Sequence, residues 1–174
     1  MSFHLIISDP TSSVLGQELP ALVADGYSSL KVFMTYEGLR LNDAEILKVL
    51  DVSRETGAKD GGRIVSIGTT GAVHIPFAGA ADYVATKAAV AAYARGWARD
   101  LGARGITVNV IQPGAINTDM NPEDGPFAEA LKNLAALGRY GQPEDIAAAV
   151  AFLVGPDAGY ITGATLNVEG GQSA

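Results

Sequence analysis

The strongest constraint on the fold of this 174-residue chain is the alternation of short apolar runs with longer amphipathic stretches. Five runs have the length and composition of buried parallel strands: FHLIISD, SLKVFMTY, GGRIVSIGT, GITVNVIQPG and GATLNVEGG. Between them, apolar residues recur at helical spacing, and glycine marks the end of several helices. This alternation predicts α/β architecture with a mainly parallel sheet.

The predicted helices connect these strands in chain order. The longest spans residues 81–103, and two shorter ones cover 127–137 and 143–154. Two more are predicted within PTSSVLGQELPALVADG, where Pro20 implies a kink, and NDAEILKVLDVSRETG. We predict one domain, residues 1–174, with a doubly wound five-stranded parallel sheet that is flavodoxin-like or Rossmann-like, in strand order 2-1-3-4-5. The alternative order 1-2-3-4-5 would place every helix on one face.

Composition excludes several classes of function. The formal net charge of −7 disfavours nucleic acid and anionic membranes as partners, because no basic patch offsets the repulsion. The chain has no cysteine, which excludes disulfides, thiolate metal sites and a cysteine nucleophile. The N-terminus has no basic leader, and no apolar run reaches membrane-spanning length. We therefore expect a cytoplasmic protein with no membrane association.

Tyr83 and Lys87 lie one turn apart on the longest predicted helix. A tyrosine hydroxyl can pass a proton to or from a carbonyl or alcohol oxygen, but a free phenol has a pKa of about 10. A lysine four residues later shares the helical face, and its positive charge would favour the phenolate. Spacing alone favours an exposed polar helix face, so the surrounding motifs decide the interpretation.

Those motifs resemble the C-terminal half of the short-chain dehydrogenase/reductase family over residues 61–171. Four segments carry the resemblance in order: GGRIVSIGTTG, YVATKAAVAAYARGWARDLGARGITVNVIQPGAINTDM, GRYGQPEDIAAAVAFLVG and ITGATLNVEGG. The resemblance implies that Tyr83 is the general acid or base and that Lys87 also binds the nicotinamide ribose. Thr69 stands where the family has a catalytic serine, and Thr70 is a neighbouring candidate.

The resemblance also implies a cofactor-binding segment after the fourth strand. Pro113, Gly114, Ile116 and Thr118, within PGAINT, would present backbone groups and one hydroxyl to the nicotinamide carboxamide. NAD or NADP would be the cofactor of a functional site. Without the resemblance, a proline–glycine pair here is also typical of a plain strand-to-helix turn.

The first strand–helix turn differs from the family pattern. A family member would have a Gly-x-x-x-Gly-x-Gly loop, whose glycines let the backbone approach the pyrophosphate. Here the turn reads SDPTSSVLGQE, with Gly16 as its one glycine and with Asp9 where a phosphate needs positive potential. We therefore expect no bound cofactor.

Residues 2–58 instead resemble a fragment of the dihydropyrimidinase/D-hydantoinase family, amidohydrolases with a TIM-barrel core. The segment LKVFMTY is the most specific part of this likeness. It implies that Lys31 corresponds to a carboxylated, metal-bridging lysine and Tyr36 to a substrate-binding tyrosine. His4 and His74 are the chain's only histidines and form no His-x-His pair, so no metal site is predicted.

Together the two resemblances predict a chimera, engineered or recombined, of a barrel-derived βαβα block (residues 1–58) and a reductase-derived block (residues 59–174). Our first hypothesis is a scaffold without efficient catalytic activity and, if engineered, without a native location. The second is an NAD(P)H-dependent carbonyl reductase with residual activity, and the third is an oligomeric interaction module. The long helix resembles the family's subunit-interface helix, which predicts a homo-oligomer.

Overall fold

A computed structural model describes residues 5–7, 9–25, 30–32, 45, 48–49, 52, 61–75 and 78–174. The chain divides into two compact units, Met1–Lys59 and Asp60–Ala174. None of the described helices is both long and apolar enough to cross a membrane.

The first unit contains a pair of parallel strands, β1 (Leu5–Ile7) and β2 (Leu30–Val32), with Leu5 opposite Leu30. A π-helical turn over Val14–Glu18 leads directly into helix α1 (Leu19–Ala24). The kink predicted at Pro20 takes this form: the proline lies in the first turn of α1, directly after the π-helical turn, and it has no N–H with which to continue the helical hydrogen bonding. Among the residues described in this unit, four buried side chains form a hydrophobic cluster: Ile7, Leu15, Leu19 and Val49.

The second unit is built on three parallel strands in the order β3-β4-β5: β3 (Arg63–Ile67), β4 (Thr107–Pro113) and β5 (Thr165–Val168). Ile111 of β4 lies opposite both Ile67 and Leu166. Its helices are α2 (Ala81–Leu101), α3 (Ala128–Leu134) and α4 (Pro143–Val154). Short 3-10 turns cover Thr70–Ala72, Gly102–Arg104 and Pro156–Ala158.

Helices cover both faces of the central strand β4. Ile111 packs against Leu153 of α4 in one buried cluster. Side chains alternate along a strand, so Val108 and Val110 point to the opposite face, and α2 also packs on β4. Both valines are fully buried, and each such burial contributes about 1.5–3 kcal/mol relative to an exposed side chain.

The predicted α/β, Rossmann-like architecture with parallel strands is confirmed. The predicted neighbours β1-β2 and β3-β4-β5 are also observed within their units. The helix predicted over 127–137 is shorter, because the backbone becomes extended at Ala135 and Gly138 has a positive φ of 65°. The helix predicted in NDAEILKVLDVSRETG lies largely outside the described residues, although residues 45, 48, 49 and 52 are helical.

Candidate active site

The structure brings the predicted Tyr83–Lys87 pair to the carboxyl end of β3. Tyr83 is the third residue of α2 and is 42% exposed. The Nζ atom of Lys87 lies 6.0 Å from the centroid of the Tyr83 ring. It also donates a hydrogen bond of 3.1 Å to the carbonyl oxygen of Ile67, the last residue of β3. The exposed Tyr83 ring therefore lies 6.0 Å from an ammonium group that is hydrogen-bonded to the end of β3.

Burial lowers the pKa of Lys87 below the ordinary lysine value. The physical cause is desolvation, because partial removal of water disfavours the charged ammonium. The same loss of water weakens dielectric screening, so the charge acts more strongly on a neighbouring group such as the Tyr83 hydroxyl. This is the electrostatic arrangement that proton transfer through a tyrosine needs.

The two candidate threonines after β3 have different roles in the structure. Thr69 has extended backbone, and its hydroxyl oxygen accepts a 3.3 Å hydrogen bond from the N–H of Gly71. Thr70 is 1% exposed, and its hydroxyl donates to the carbonyl oxygen of Pro113 at 2.9 Å. The Thr70 hydroxyl proton is donated to Pro113, whereas the Thr69 hydroxyl donates to no acceptor in the described part of the chain, so the geometry favours Thr69 over Thr70.

The predicted cofactor-binding segment follows β4 and is anchored to β5 at its start. The N–H of Gly114 donates to the carbonyl oxygen of Val168 at 3.1 Å. A Cβ atom on Gly114 would lie 2.9 Å from the Cα of Glu169, which is too close for any other residue without a backbone shift. Glycine is therefore required here by the close approach of two backbones.

A second anchor lies at Ile116, which forms a parallel bridge with Gly141. The N–H of Gly141 donates to the carbonyl oxygen of Ala115, and the N–H of Asn117 donates to that of Gly141, both at 2.9 Å. Thr118 forms a tight bridge with Asn121. Thus all four predicted residues from Pro113 to Thr118 lie in one segment that is fixed by backbone hydrogen bonds.

Sequence reasoning missed the side chains that hold this segment. Asn117 donates from Nδ2 to Oε1 of Gln142 at 3.4 Å and accepts from the N–H of Glu123 at 3.1 Å. Gln142 in turn donates to Oε2 of Glu123 at 3.2 Å. Asparagine, glutamine and glutamate suit exposed loops equally well, so the sequence carries no signal for this network.

Asp145 caps the start of α4 beside the same network. Its Oδ2 atom accepts from the N–H of Gln142 at 2.8 Å and from Nη1 of Arg139 at 3.4 Å. The Gln142 amide, and to a smaller extent the Arg139 guanidinium, holds the pKa of Asp145 below its usual value. A carboxylate at a helix N-terminus is also favoured by the helix dipole.

Replacing Asp145 with asparagine is expected to lower Tm at neutral pH, because the charged acceptor is lost. A carboxyl pKa lowered by folding contributes stability above its unfolded pKa, and that stability disappears as pH falls through the folded pKa. The Tm difference between wild type and variant should therefore shrink in acid. Thermal unfolding from pH 7 to pH 3 measures this, with Asp157→Asn as the control at an exposed site. A difference that does not change with pH would contradict the capping role.

A cavity of about 280 Å³ lies against the predicted cofactor-binding segment. Its wall includes Ile116, Arg139, Asp145 and Glu169. Tyr83, Lys87 and Thr69 do not line it. The candidate catalytic groups therefore lie outside this cavity.

The first strand–helix turn provides no glycine cradle for a pyrophosphate. The N–H of Val14 donates to Oγ1 of Thr11 at 3.2 Å, so the Thr11 side chain occupies one of the N–H donors at this helix end. Asp9 is exposed in the same turn, and its negative charge disfavours a phosphate. Gly16 lies inside the π-helical turn. Within the described residues, the fit to a dinucleotide is therefore confined to the nicotinamide end.

The residues predicted from the amidohydrolase resemblance form no site in the described structure. Lys31 lies in β2, whereas Tyr36 and His4 lie outside the described residues. His74 is exposed, and its N–H donates to the carbonyl oxygen of Thr70 at 3.1 Å. In the described part of the chain, no three histidine, aspartate or glutamate side chains converge on a metal position.

Comparison with known proteins decides the family. A family model described as Enoyl-(Acyl carrier protein) reductase matches residues 47–173. A short chain dehydrogenase from Burkholderia cenocepacia, solved in complex with NADP, is 35% identical with a TM-score of 0.80, and the match covers 96% of this chain and 74% of that one. The chain belongs to the short-chain dehydrogenase/reductase family.

Two curated relatives match about two-thirds of this short-chain dehydrogenase/reductase chain. The cyclic-di-GMP-binding biofilm dispersal mediator protein of Escherichia coli is 50% identical over 115 residues, which are 66% of this chain and 48% of the relative. The 3-oxoacyl-[acyl-carrier-protein] reductase of Haemophilus influenzae is 50% identical over 113 residues, 63% of this chain and 46% of the relative. The chain thus spans about half the length of the curated relatives it matches.

The comparisons do not support the predicted chimera or its hydantoinase fragment. The Burkholderia structure covers nearly the whole chain, including most of residues 2–58. The sequence matches to the two curated relatives cover about two-thirds of it. The family assignment made for residues 61–171 is therefore confirmed, whereas the amidohydrolase interpretation of the first block receives no support.

Proposed function

We propose that this chain carries the catalytic half of an NAD(P)H-dependent carbonyl reductase, which would run in reverse as an alcohol dehydrogenase. One observation carries the proposal: the exposed Tyr83 ring lies 6.0 Å from the partly desolvated Lys87 ammonium, which donates a hydrogen bond to the Ile67 carbonyl at the end of β3. Relatives with reductase activity in their names, and a structure that binds NADP, support this function over that of an inert scaffold.

In this proposal, each of the three side chains has one chemical role. NAD(P)H, when bound, would supply the hydride for the substrate carbonyl carbon. Tyr83 donates its hydroxyl proton to the carbonyl oxygen, and Lys87 stabilises the phenolate that remains. Thr69 donates a hydrogen bond to the same oxygen and orients it. In the oxidation direction, the Tyr83 phenolate accepts the alcohol proton.

The nicotinamide end of the cofactor has a suitable set of contacts. Lys87 would bind the ribose hydroxyls through its remaining donors. Pro113, Gly114 and Ile116 would present backbone groups to the carboxamide, and Thr118 would add a hydroxyl. The anchoring of this segment at Gly114 and Ile116 means that little backbone freedom is lost when a ligand binds.

We propose a 3-oxoacyl thioester as the substrate class. The Haemophilus influenzae relative is named for a 3-oxoacyl substrate. In this chain, Val73 and Ile75 are apolar and at least half exposed in the segment between Thr69 and α2. Exposed apolar side chains near the catalytic groups are suited to contact with an acyl chain.

A scaffold without efficient activity is the second candidate, and one observation favours it. The Thr11 cap and the exposed Asp9 occupy the turn where family members bind the pyrophosphate. Such a chain would keep the catalytic residues without tight cofactor binding. A homo-oligomer suits either candidate, because α2 exposes a face of small residues: Ala85, Ala89, Ala92 and Gly96.

The experiment that separates the two candidates combines cofactor binding with turnover. We expect the purified chain to bind NADPH or NADH with Kd below 1 mM, about −4 kcal/mol, and to oxidise NADPH when acetoacetyl-CoA is added. Calorimetry measures the binding, and NADPH absorbance measures the turnover. No binding by a chain with an intact circular dichroism spectrum would contradict the reductase and support the scaffold. Light scattering of the same sample tests the oligomer, which a monomer mass would contradict.

A further inference from the structure

Thr70 links the two segments on which the proposed reductase depends. Its hydroxyl donates to the carbonyl oxygen of Pro113 at 2.9 Å, and Gln112 O lies 3.4 Å away. The bond joins the segment after β3, which contains Thr69, to the start of the cofactor-binding segment after β4. The two residues are 43 positions apart in sequence, so the contact arises only in the folded chain.

Both neighbours of Thr69 in the chain are hydrogen-bonded to β4: Thr70 through its side chain and Gly68 through its backbone. The N–H of Gly68 donates to the carbonyl oxygen of Ile111 at 2.8 Å and extends the contact between β3 and β4. Thr69 therefore lies between two residues that are both attached to β4. The Thr70 carbonyl also accepts from the N–H groups of Val73 and His74, at 2.9 and 3.1 Å. Loss of the Thr70 hydroxyl would remove the attachment to β4 on the C-terminal side of Thr69, and with it the attachment of this turn.

Packing alone does not explain why residue 70 is a threonine and not a valine. The side chain is 1% exposed, and burial of a hydroxyl is unfavourable unless it is hydrogen-bonded. Valine has nearly the same shape and would bury in the same place without that cost. The hydroxyl is thus accounted for by the bond to Pro113, and not by the volume of the side chain.

We propose that Thr70 is a positioning residue, whose hydrogen bond to Pro113 fixes the distance between the Thr69 hydroxyl and the cofactor-binding segment. Thr70 contacts neither substrate nor cofactor, and it acts through the two segments that do. This inference rests on the proposed reductase function for its effect on turnover. The structural coupling between the segments stands independently of that function.

The test compares Thr70→Val, which removes the hydroxyl at constant shape, with Thr70→Ser, which retains it. Thr107→Val is the matched control. Thr107, on β4, is buried like Thr70, but its hydroxyl has no hydrogen-bond partner in the described structure. A misplacement of about 1 Å can lower rates about 100-fold. We expect Thr70→Val to lower kcat/KM 10- to 100-fold, with lower kcat and higher KM for NADPH. The serine variant and the control should stay within about threefold of wild type.

Hydrogen exchange provides a readout that needs no activity. Peptides covering residues 68–75 and 112–118 should exchange roughly tenfold faster in Thr70→Val, while exchange elsewhere is unchanged. If Thr70→Val does not fold, Thr70→Ala replaces it as the variant without a hydroxyl. Equal exchange in wild type and the hydroxyl-free variant would overturn the proposal. So would wild-type kinetics in that variant, or an equal loss in Thr70→Ser.

An inactive wild type would separate the two proposals. Faster exchange in both segments of Thr70→Val would then support the coupling while the reductase function failed. An active wild type whose exchange does not respond to Thr70→Val would have the opposite meaning: the reductase function would stand, and the coupling would be wrong.

Discussion

Replacing Tyr83 with phenylalanine is expected to lower kcat for carbonyl reduction by about 10²- to 10⁴-fold, the range typical of losing a general acid. The fold should be unaffected, because the side chain is 42% exposed and its hydroxyl makes no hydrogen bond within the described residues. The backbone carbonyl of Tyr83, which accepts from the Thr86 hydroxyl at 2.7 Å, is retained. NADPH binding should also be retained, since Lys87 and the cofactor-binding segment are unchanged. Steady-state kinetics and calorimetry on one preparation measure both.

Tyr93→Phe is the matched control for this variant. Tyr93 lies on the same helix with similar exposure, and its ring contacts Trp97 at a centroid distance of 5.6 Å. It should keep wild-type kinetics. A Tyr83→Phe variant with more than a tenth of wild-type kcat would contradict the assignment of Tyr83 as the proton donor, even if the chain is a reductase.

The elements of the second unit could be predicted because their signals are local. The β-branched run of β4 and the alanine-rich pattern of α2 each occupy one continuous stretch, and glycine or proline lies beside them. Gly114, directly after β4, is marked by the same local signal of proline and glycine. Its close contact with Glu169 is not local, because Glu169 lies near the end of the chain. Local periodicity therefore predicts which residues form each element, but not which distant backbone an element meets.

Residues 69 and 70 show where sequence reasoning ends. Two adjacent threonines have the same local chemistry, so the sequence alone left both as candidates for the catalytic serine position. The distinction depends on Pro113, which is far along the chain and reaches Thr70 only when β3 and β4 pair. The network of Asn117, Glu123 and Gln142 escaped prediction for the same reason.

The unsupported amidohydrolase interpretation has a different physical cause. Barrel enzymes and Rossmann-type enzymes are both assembled from right-handed βα units with parallel strands. A strand, a helix and a second strand, such as β1, α1 and β2, therefore carry a pattern that fits either architecture. Only ligands converging from several strands distinguish a metal-dependent barrel site, and the chain has two histidines, His4 and His74, which form no His-x-His pair.

Replacing Lys87 with methionine is expected to lower kcat by about 10²- to 10⁴-fold, because Tyr83 loses the charge that stabilises its phenolate. KM for NADPH should rise as well, since the proposed ribose contact is lost. Tm at pH 7 should equal or exceed that of wild type. The methionine stem can occupy the same space, and the desolvated ammonium is removed at the cost of one hydrogen bond to Ile67.

The pH dependence of Tm distinguishes this explanation from a general loss of packing at residue 87. Burial places the folded pKa of Lys87 below its unfolded value, so the unfolded state binds more protons between the two values and wild-type stability rises with pH across that range. At lower pH the full desolvation cost is present, and Lys87→Met should show its largest advantage there. Thermal unfolding from pH 7 to pH 10.5 should therefore bring the wild-type Tm up relative to that of the variant. Desolvation of the Lys87 charge predicts a variant Tm equal to or above that of wild type at pH 7, with a difference that changes with pH. A variant Tm that is lower than wild type by the same amount at every pH would instead show that Lys87 stabilises the fold by packing.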